Sequence, residues 1–132
     1  MDSNNDSNDN KDDLKAFSAI LKILEGHSVE LRDDIKLYIR DDENLMKKES
    51  VDGVFVPEIP FNVSIKEDIR SELPYLNIIL MEKGKRMLYV GDGGHEDFFD
   101  TIIAPETEFE IVEEVNEFTT VWKCGAQPFY DK

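Results

Sequence analysis

Three polar side chains lie where the pattern of the sequence changes and could do chemistry. Arg40 ends the apolar segment IKLYIR, residues 35–40, and acidic residues follow it. Ser64 opens the pattern Ser-Ile-Lys-Glu, and Asp100 lies between a glycine-rich segment and an apolar one. An arginine at a strand end suits phosphate oxygens, because its planar guanidinium donates charge-assisted hydrogen bonds to them. The same side chain could instead form surface ion pairs with its acidic neighbours.

Ser64 and Asp100 also have a structural interpretation beside a chemical one. Ser64 and Glu67 have the spacing of a capping box, in which the serine and glutamate side chains bind backbone N–H groups at the start of a helix. This predicts a helix from Ser64 to about Leu73, before Pro74. Asp100 could be a polar residue that begins a strand, or a carboxylate that stabilises positive charge on a substrate.

The segments that position these residues predict an α+β domain. Apolar residues at helical spacing predict an N-terminal helix, and they are Leu14, Phe17, Ile20, Leu21 and Leu24. Segment 42–50 predicts a short helix or loop, and segment 51–63 is extended, with Pro57 and Pro60 confining it to an edge or a bend. β-Branched and aromatic residues predict strands at 35–40, 76–82, 86–90, 100–104, 109–115 and 118–124. A helix, a strand, a helix and then a run of strands favour mainly antiparallel pairing.

Composition bounds the setting in which the chain works. Residues 1–11 contain only Asp, Asn, Ser and Lys after Met1, which predicts a disordered acidic tail before one domain over residues 12–132. The formal net charge of −15 disfavours binding to nucleic acid and favours basic proteins as partners. One cysteine cannot form an internal disulfide, and no segment approaches the roughly 20 apolar residues of a membrane span. We therefore expect a cytoplasmic protein that does not bind membranes.

Metal ligands are too sparse in the sequence to predict a metal site. His27 and His95 lie far apart, and with one cysteine they do not make a zinc pattern. The acidic residues between 92 and 100 do not follow the spacing of an EF-hand. Cys124 is expected to be a small buried side chain, and Trp122 an anchor of the core.

Four short patterns occur in a defined order along the chain. The first is an apolar helix followed by LYIR, and the second is FNVS at the start of a predicted helix. The third is a strand and KGK leading into LYVG. The fourth is a glycine-rich loop that runs into DTIIAPETEFEIV, residues 100–112.

The order of these patterns resembles the ADP-ribosyltransferases of the Arg–Ser–Glu class, over roughly residues 13–115. The fourth pattern carries most of the resemblance, because the spacing from Asp100 to Phe109 and the position of Thr107 match the last motif of the family. The resemblance implies an α+β fold with N-terminal helices followed by a mainly antiparallel β core of two facing sheets. It also implies cleavage of the nicotinamide–ribose bond of NAD, through a transition state with positive charge on the ribose.

The same resemblance assigns roles to individual side chains. Arg40 would bind the pyrophosphate of NAD, Ser64 would hold the site together, and Asp100 would act at the ribose. Asp41 and Phe61 would complete the NAD-binding set. Asp41 stands where the family has a glycine that lets backbone approach the nicotinamide closely.

Two further positions bear on activity and on the acceptor. Asp100 stands where the family has glutamate, and a shift of about 1 Å in a catalytic group can cost roughly 100-fold in rate. Phe98 and Phe99, in the loop of residues 91–99, would contact the acceptor protein. Arginine-modifying members have glutamate at the position of Phe98, so transfer to arginine is not expected. The hypotheses are a mono-ADP-ribosyltransferase or NAD glycohydrolase acting on an unknown protein, and alternatively an inactive member of this fold or another acidic α+β binding module.

Overall fold

The structure, a computed structural model, describes residues 3–131, with side chains from residue 14 onward. Its helices are α1 (Ser3–His27), α2 (Leu45–Glu49) and a closing 3-10 turn (Pro128–Asp131). Its strands are β1 (Val29–Glu30), β2 (Ile35–Asp41), β3 (Val54–Phe55), β4 (Phe61–Val63), β5 (Tyr75–Met81), β6 (Arg86–Tyr89), β7 (Thr101–Ile103), β8 (Phe109–Glu114) and β9 (Thr119–Cys124). The strands that composition predicted are present, and α2 lies in the segment where a short helix or loop was expected.

The strands form two sheets that meet at one backbone bridge. One sheet has 5 strands in the order β2-β5-β9-β8-β3, and the other has 4 in the order β1-β6-β7-β4. Neighbouring strands are antiparallel except β5 and β9. Tyr38 of β2 and Ser64, which follows β4, join the sheets through two backbone hydrogen bonds of 2.7 and 2.9 Å. The predicted α+β architecture with mainly antiparallel sheets is confirmed.

Apolar side chains from both sheets share one core. Leu37 and Ile39 alternate with partly exposed neighbours along β2, because successive strand residues point to opposite faces. Trp122 and Phe109 are fully buried, and burial of a large apolar side chain contributes about 1.5–3 kcal/mol. The Trp122 indole N–H donates to Asn77 Oδ1 at 2.8 Å, so the polar group of the buried ring has a hydrogen-bond partner. Trp122 is therefore the core anchor that the sequence predicted.

Helix α1 packs on the smaller sheet near its C-terminal end. Leu24 is fully buried in a second cluster with Leu88, Ala104 and Phe129. Leu14, three turns earlier, is 67% exposed, so the apolar face of the helix is covered only toward its end. Of residues 3–131, no helix has both the length and the apolar content needed to cross a bilayer.

The start of α1 differs from the sequence expectation. The helix begins at Ser3, so it extends into the segment of residues 1–11 for which composition predicted a disordered tail. Residues 1–2 lie outside the described residues.

The helix predicted from Ser64 to Leu73 is wrong, because the segment forms a series of turns. The Ser64 hydroxyl accepts the backbone N–H of Lys66 at 3.0 Å instead of completing a capping box with Glu67. Arg70 has a φ of 48°, in the left-handed region, where a right-handed helix cannot continue. The cap-like serine is therefore present, but it starts a turn.

Candidate active site

Asp100 lies at the start of β7 in an almost fully buried position. Its side chain is 2% exposed. Oδ1 accepts the backbone N–H of Ile65 at 3.0 Å and the Thr101 hydroxyl at 2.9 Å. Among the described residues, Oδ2 accepts a hydrogen bond only from the Ser64 hydroxyl, at 3.3 Å. Asp100 is therefore more than a polar residue at a strand start, because three neighbours hold its carboxylate in one orientation.

Ser64 connects this carboxylate to the other sheet. Its backbone forms the bridge to Tyr38, while its hydroxyl donates to Asp100 and accepts from the Lys66 N–H. The side chain is fully buried. One serine thus serves both interpretations drawn from the sequence, since it caps a turn and also joins a cluster of polar side chains.

Arg40 lies on β2, two residues beyond Tyr38. Alternate residues of a strand point to the same face, at a spacing of about 7 Å, so Arg40 and Tyr38 share one face of β2, and the backbone of Tyr38 is bridged to Ser64. The Arg40 Nε atom is buried and has no hydrogen-bond partner within residues 3–131. The acidic residues that follow Arg40 make no ion pair with it in this part of the chain. The ion-pair interpretation therefore has no support, and a buried donor without an acceptor suits an anionic ligand.

Comparisons with known proteins identify the fold. No protein-family model matches the sequence, and no curated protein matches it. The C3larvin toxin, an ADP-ribosyltransferase from Paenibacillus larvae, has a similar structure with a TM-score of 0.65 and 13% identity, over 85% of this chain and 70% of the toxin. Plx2a, an ADP-ribosyltransferase toxin from the same organism, aligns with a TM-score of 0.60 and 17% identity, over 85% of this chain and 70% of its own. This chain has the ADP-ribosyltransferase fold.

A third structure with the ADP-ribosyltransferase fold was solved with a dinucleotide. BECa, an ADP-ribosylating toxin of a binary enterotoxin of C. perfringens, was crystallised with NADH. It aligns with a TM-score of 0.53 and 13% identity, over 84% of this chain and 32% of the toxin. The resemblance found in the sequence is thus confirmed at the level of the fold, and an acidic module of unrelated fold is excluded.

Within this ADP-ribosyltransferase fold, Asp41 follows Arg40 at the end of β2, and Phe61 begins β4, the strand that leads into Ser64. Both line a groove of about 530 Å³ whose lining does not include Arg40, Ser64 or Asp100. Burial raises the pKa of the Asp41 carboxyl, while the nearby Arg70 guanidinium lowers it and two acidic neighbours raise it. That Asp41 and Phe61 belong to one NAD-binding set with Arg40 and Ser64 stays a prediction.

Arg70 is a cation near the site that the sequence analysis missed. Its guanidinium carbon lies 4.8 Å from the centre of the Phe99 ring, a cation–π distance, and its charge acts on the Asp41 carboxyl. The sequence assigned Arg70 to a helix, and only the turn at this residue directs it toward Phe99. No local pattern could have revealed this contact, because the two residues meet through tertiary structure.

The loop of residues 91–99 is held in place by Lys66. Its ammonium donates to Asp92 Oδ2 at 3.1 Å and to the carbonyl oxygens of Glu96 and Phe98 at 2.6 and 3.3 Å. Asp92 Oδ1 accepts the backbone N–H of Gly94 at 2.9 Å. The Gly94 N–H and the Lys66 ammonium lower the pKa of the Asp92 carboxyl. The loop is therefore ordered by a charge on the turn segment beside Ser64.

The two aromatic residues at the end of this loop differ in exposure. Phe98 is 57% exposed and stacks on His95, with ring centres 4.5 Å apart. Phe99 is partly buried and packs against the core. Phe99 is therefore the inward-facing residue of the pair, which leaves Phe98 as the side chain that another protein could contact.

Cysteine chemistry is not offered by the described part of the chain. Cys124 is buried, and burial raises the pKa of its thiol to about 11, so the thiolate is scarce near neutral pH. It is the small buried side chain that the sequence predicted. Within the described residues, no group of three or more His, Cys, Asp or Glu side chains is placed to hold a metal ion.

Proposed function

We propose that the protein is an NAD-dependent mono-ADP-ribosyltransferase that cleaves the nicotinamide–ribose bond and transfers ADP-ribose to a protein, or to water as an NAD glycohydrolase. The observations that carry the proposal are the buried Arg40 Nε without an acceptor and the Ser64–Asp100 pair, whose serine is bridged to β2 at Tyr38, in a chain with this fold. Because the chain carries a formal net charge of −15, it needs a local cation to accept a pyrophosphate. Arg40 supplies that cation.

The remaining steps of the reaction follow from the side chains at the site. The bond between ribose C1′ and the nicotinamide nitrogen breaks, and its electron pair leaves with nicotinamide, which becomes neutral. The ribose is left with positive charge, which the Asp100 carboxylate stabilises. Oδ2 has one long hydrogen bond, so it retains capacity to accept a ribose hydroxyl. The acceptor or a water molecule then attacks C1′ and loses a proton.

The acceptor side of the reaction is assigned to the loop of residues 91–99. Exposed Phe98 offers an apolar contact, and Lys66 keeps the loop ordered before a partner arrives. The acidic charge of the chain favours a basic protein as the acceptor. The lone, buried Cys124 fits a reducing compartment, so we place the reaction in the cytoplasm.

A second candidate is a binding protein of the same fold without catalysis. It is favoured by the burial of Asp100, whose carboxylate a ribose must reach, and by the aspartate at position 41. Asp41 places a carboxylate next to the residue proposed to hold the pyrophosphate, which weakens the attraction for phosphate. The two candidates differ in whether bound NAD releases nicotinamide.

The deciding experiment is calorimetry of NAD binding with nicotinamide release followed in the same sample. We expect the purified chain to bind NAD and release nicotinamide slowly, and Asp100→Glu, which restores the longer carboxylate, to release it faster. Asp97→Glu is the matched control, because Asp97 is an exposed carboxylate of the same loop. Binding without release from either protein would establish the second candidate. No binding at millimolar NAD would contradict both NAD-binding roles and leave the fold alone.

A further inference from the structure

A groove on the other face of β2 has an apolar floor. It measures about 530 Å³, and its floor is formed by Ile39, Met46, Phe55 and Phe61. The first three are buried core residues with exposures of 7%, 2% and 6%. Because these side chains belong to the packed core, the floor is fixed before any ligand arrives. The volume lies in the range of pockets that bind a small ligand or a few side chains.

Apolar side chains also surround the mouth of this groove. Leu45, Val56 and Ile59 line it and are 42%, 44% and 62% exposed. Single exposed apolar residues are common, whereas three around one concave apolar floor form a patch that contact with another molecule would cover.

The charged residues that line the groove are all acidic. They are Asp41, Glu49 and Glu58, and no Lys or Arg is among the described residues that line it. None of the three forms an ion pair in the described part of the chain, and of the three only Asp41 has the charge of Arg70 acting on it. A ligand that fills the groove must therefore bring apolar groups for the floor and positive charge for the rim.

We propose that this groove docks a segment of a partner protein that carries large apolar side chains flanked by lysines or arginines. The proposal goes beyond the NAD reaction, since none of Arg40, Ser64 and Asp100 lines the groove. A second copy of this chain fits poorly, because two chains with a net charge of −15 repel each other and would bring their acidic rims together. Nucleic acid is disfavoured for the same reason.

The test uses three fluorescein-labelled peptides and fluorescence polarisation. The first has a central Trp-Leu pair between two pairs of lysines, the second has alanines in place of Trp-Leu, and the third has glutamates in place of the lysines. We expect the first to bind at least about tenfold more tightly than either of the others, since each lacks one of the two required interactions. Equal binding of the first two peptides would reduce the effect to unspecific charge attraction and overturn the proposal.

Variants at the rim locate the binding. Ile59→Ser and Glu58→Lys each change an exposed side chain that lines the groove. Each should weaken binding of the first peptide by about five- to tenfold. Val112→Ser in β8 and Glu117→Lys in the turn after it are matched controls at exposed positions outside the groove lining, and they should leave the affinity unchanged. Equal losses in the control variants would contradict the groove as the binding place.

Two further measurements test whether NAD or a second copy of this chain, instead of a partner segment, occupies the groove. Competition between NAD and the peptide would assign the groove to the NAD site and overturn the proposal, whereas simultaneous binding supports it. Sedimentation of the chain without peptide should give the mass of a monomer. A dimer that Ile59→Ser dissociates would show that a second copy covers the groove, contrary to the proposal. Nicotinamide release by Ile59→Ser should equal that of the unchanged chain, so failure of the peptide to bind is distinguishable from failure of the NAD reaction.

Discussion

The two halves of the candidate active site differ in how their polar atoms are satisfied. On the smaller sheet, the Asp100 carboxylate has hydrogen bonds from Ser64, Ile65 and Thr101. On the larger sheet, Arg40 has a buried Nε that has no hydrogen-bond partner among the described residues. An internal network such as that of Asp100 stabilises the protein whether or not a ligand binds. An unpaired buried donor costs free energy in the free protein, and an anion removes that cost.

Because of this difference, we expect the two halves of the site to affect different properties of the protein, its stability and its affinity for an anion. The Asp100 half should control how stable the protein is, and the Arg40 half should control how tightly it binds an anion. If substitutions in both halves lowered the free energy of unfolding equally, Arg40 would have a structural partner in solution. If both changed only binding, the network around Asp100 would contribute nothing to folding.

The largest expected effect is that of Asp100→Ala on stability. The change leaves the Ile65 N–H and the Thr101 hydroxyl without an acceptor in a buried place, and we expect the free energy of unfolding to fall by about 3 kcal/mol. Urea unfolding followed by tryptophan fluorescence measures it. Asp97→Ala, at an exposed position of the same loop, should change it by less than about 0.5 kcal/mol. Comparable small losses in the two variants would refute the stabilising network.

Arg40→Ala should have the opposite effect, a large loss of NAD affinity with little change in stability. We expect NAD affinity to fall about 30-fold, or ~2 kcal/mol, the scale of hydrogen bonds to a charged group. The free energy of unfolding should change little, because the lost packing of the side chain is offset by removal of an unsatisfied donor. Calorimetry and urea unfolding measure the two quantities. Arg32→Ala, at an exposed arginine, should leave both unchanged, and a large loss of stability in Arg40→Ala would instead favour an ion pair.

Ser64→Ala tests the residue that lies between the halves. It removes a 3.3 Å hydrogen bond to Asp100 and the acceptor of the Lys66 N–H, so we expect a loss of about 1–2 kcal/mol in stability. Thermal unfolding measures it, with Ser71→Ala as an exposed control. A loss as small as that of the control would show that water replaces both hydrogen bonds.

The smallest effect concerns the pKa of Asp92. The folded state lowers this pKa, so the associated stabilisation is present above the unfolded pKa and is lost as pH falls through the folded pKa. Lys66→Met should raise the Asp92 pKa only part of the way to its ordinary value, because the hydrogen bond from the Gly94 N–H, the largest single contribution, remains. NMR titration of the carboxyl measures it. Full return to the ordinary value would show that Lys66 alone organises the loop.

Periodicity and composition predicted the strands well, because the alternation of buried and exposed residues in β2 and β5 is a local property. The capping-box pattern predicted a helix that does not form. Ser64 and Glu67 have the correct spacing, but the Arg70 conformation and the Asp100 carboxylate determine the local backbone structure. Local propensity is overridden there by tertiary contacts.

The candidate site was predicted only in part for a related reason. The contact of Ser64 with Asp100 joins residues 36 apart in sequence, and no spacing rule anticipates it without a family resemblance. The resemblance brought Arg40, Ser64 and Asp100 into one list. It also placed Asp41 and Phe61 there, although strand alternation directs the Asp41 side chain to the face opposite that of Arg40.

The bridge between Tyr38 and Ser64 has a consequence for folding cooperativity. It connects the sheet that carries Arg40 to the sheet that carries Asp100, so the site exists only after the two sheets have docked. A dinucleotide held by both residues would bind the docked state alone and would raise the melting temperature in proportion to the logarithm of its concentration. The backbone amides of Tyr38 and Ser64 would then exchange with solvent more slowly when the ligand is present, and they would report undocking of the sheets before global unfolding.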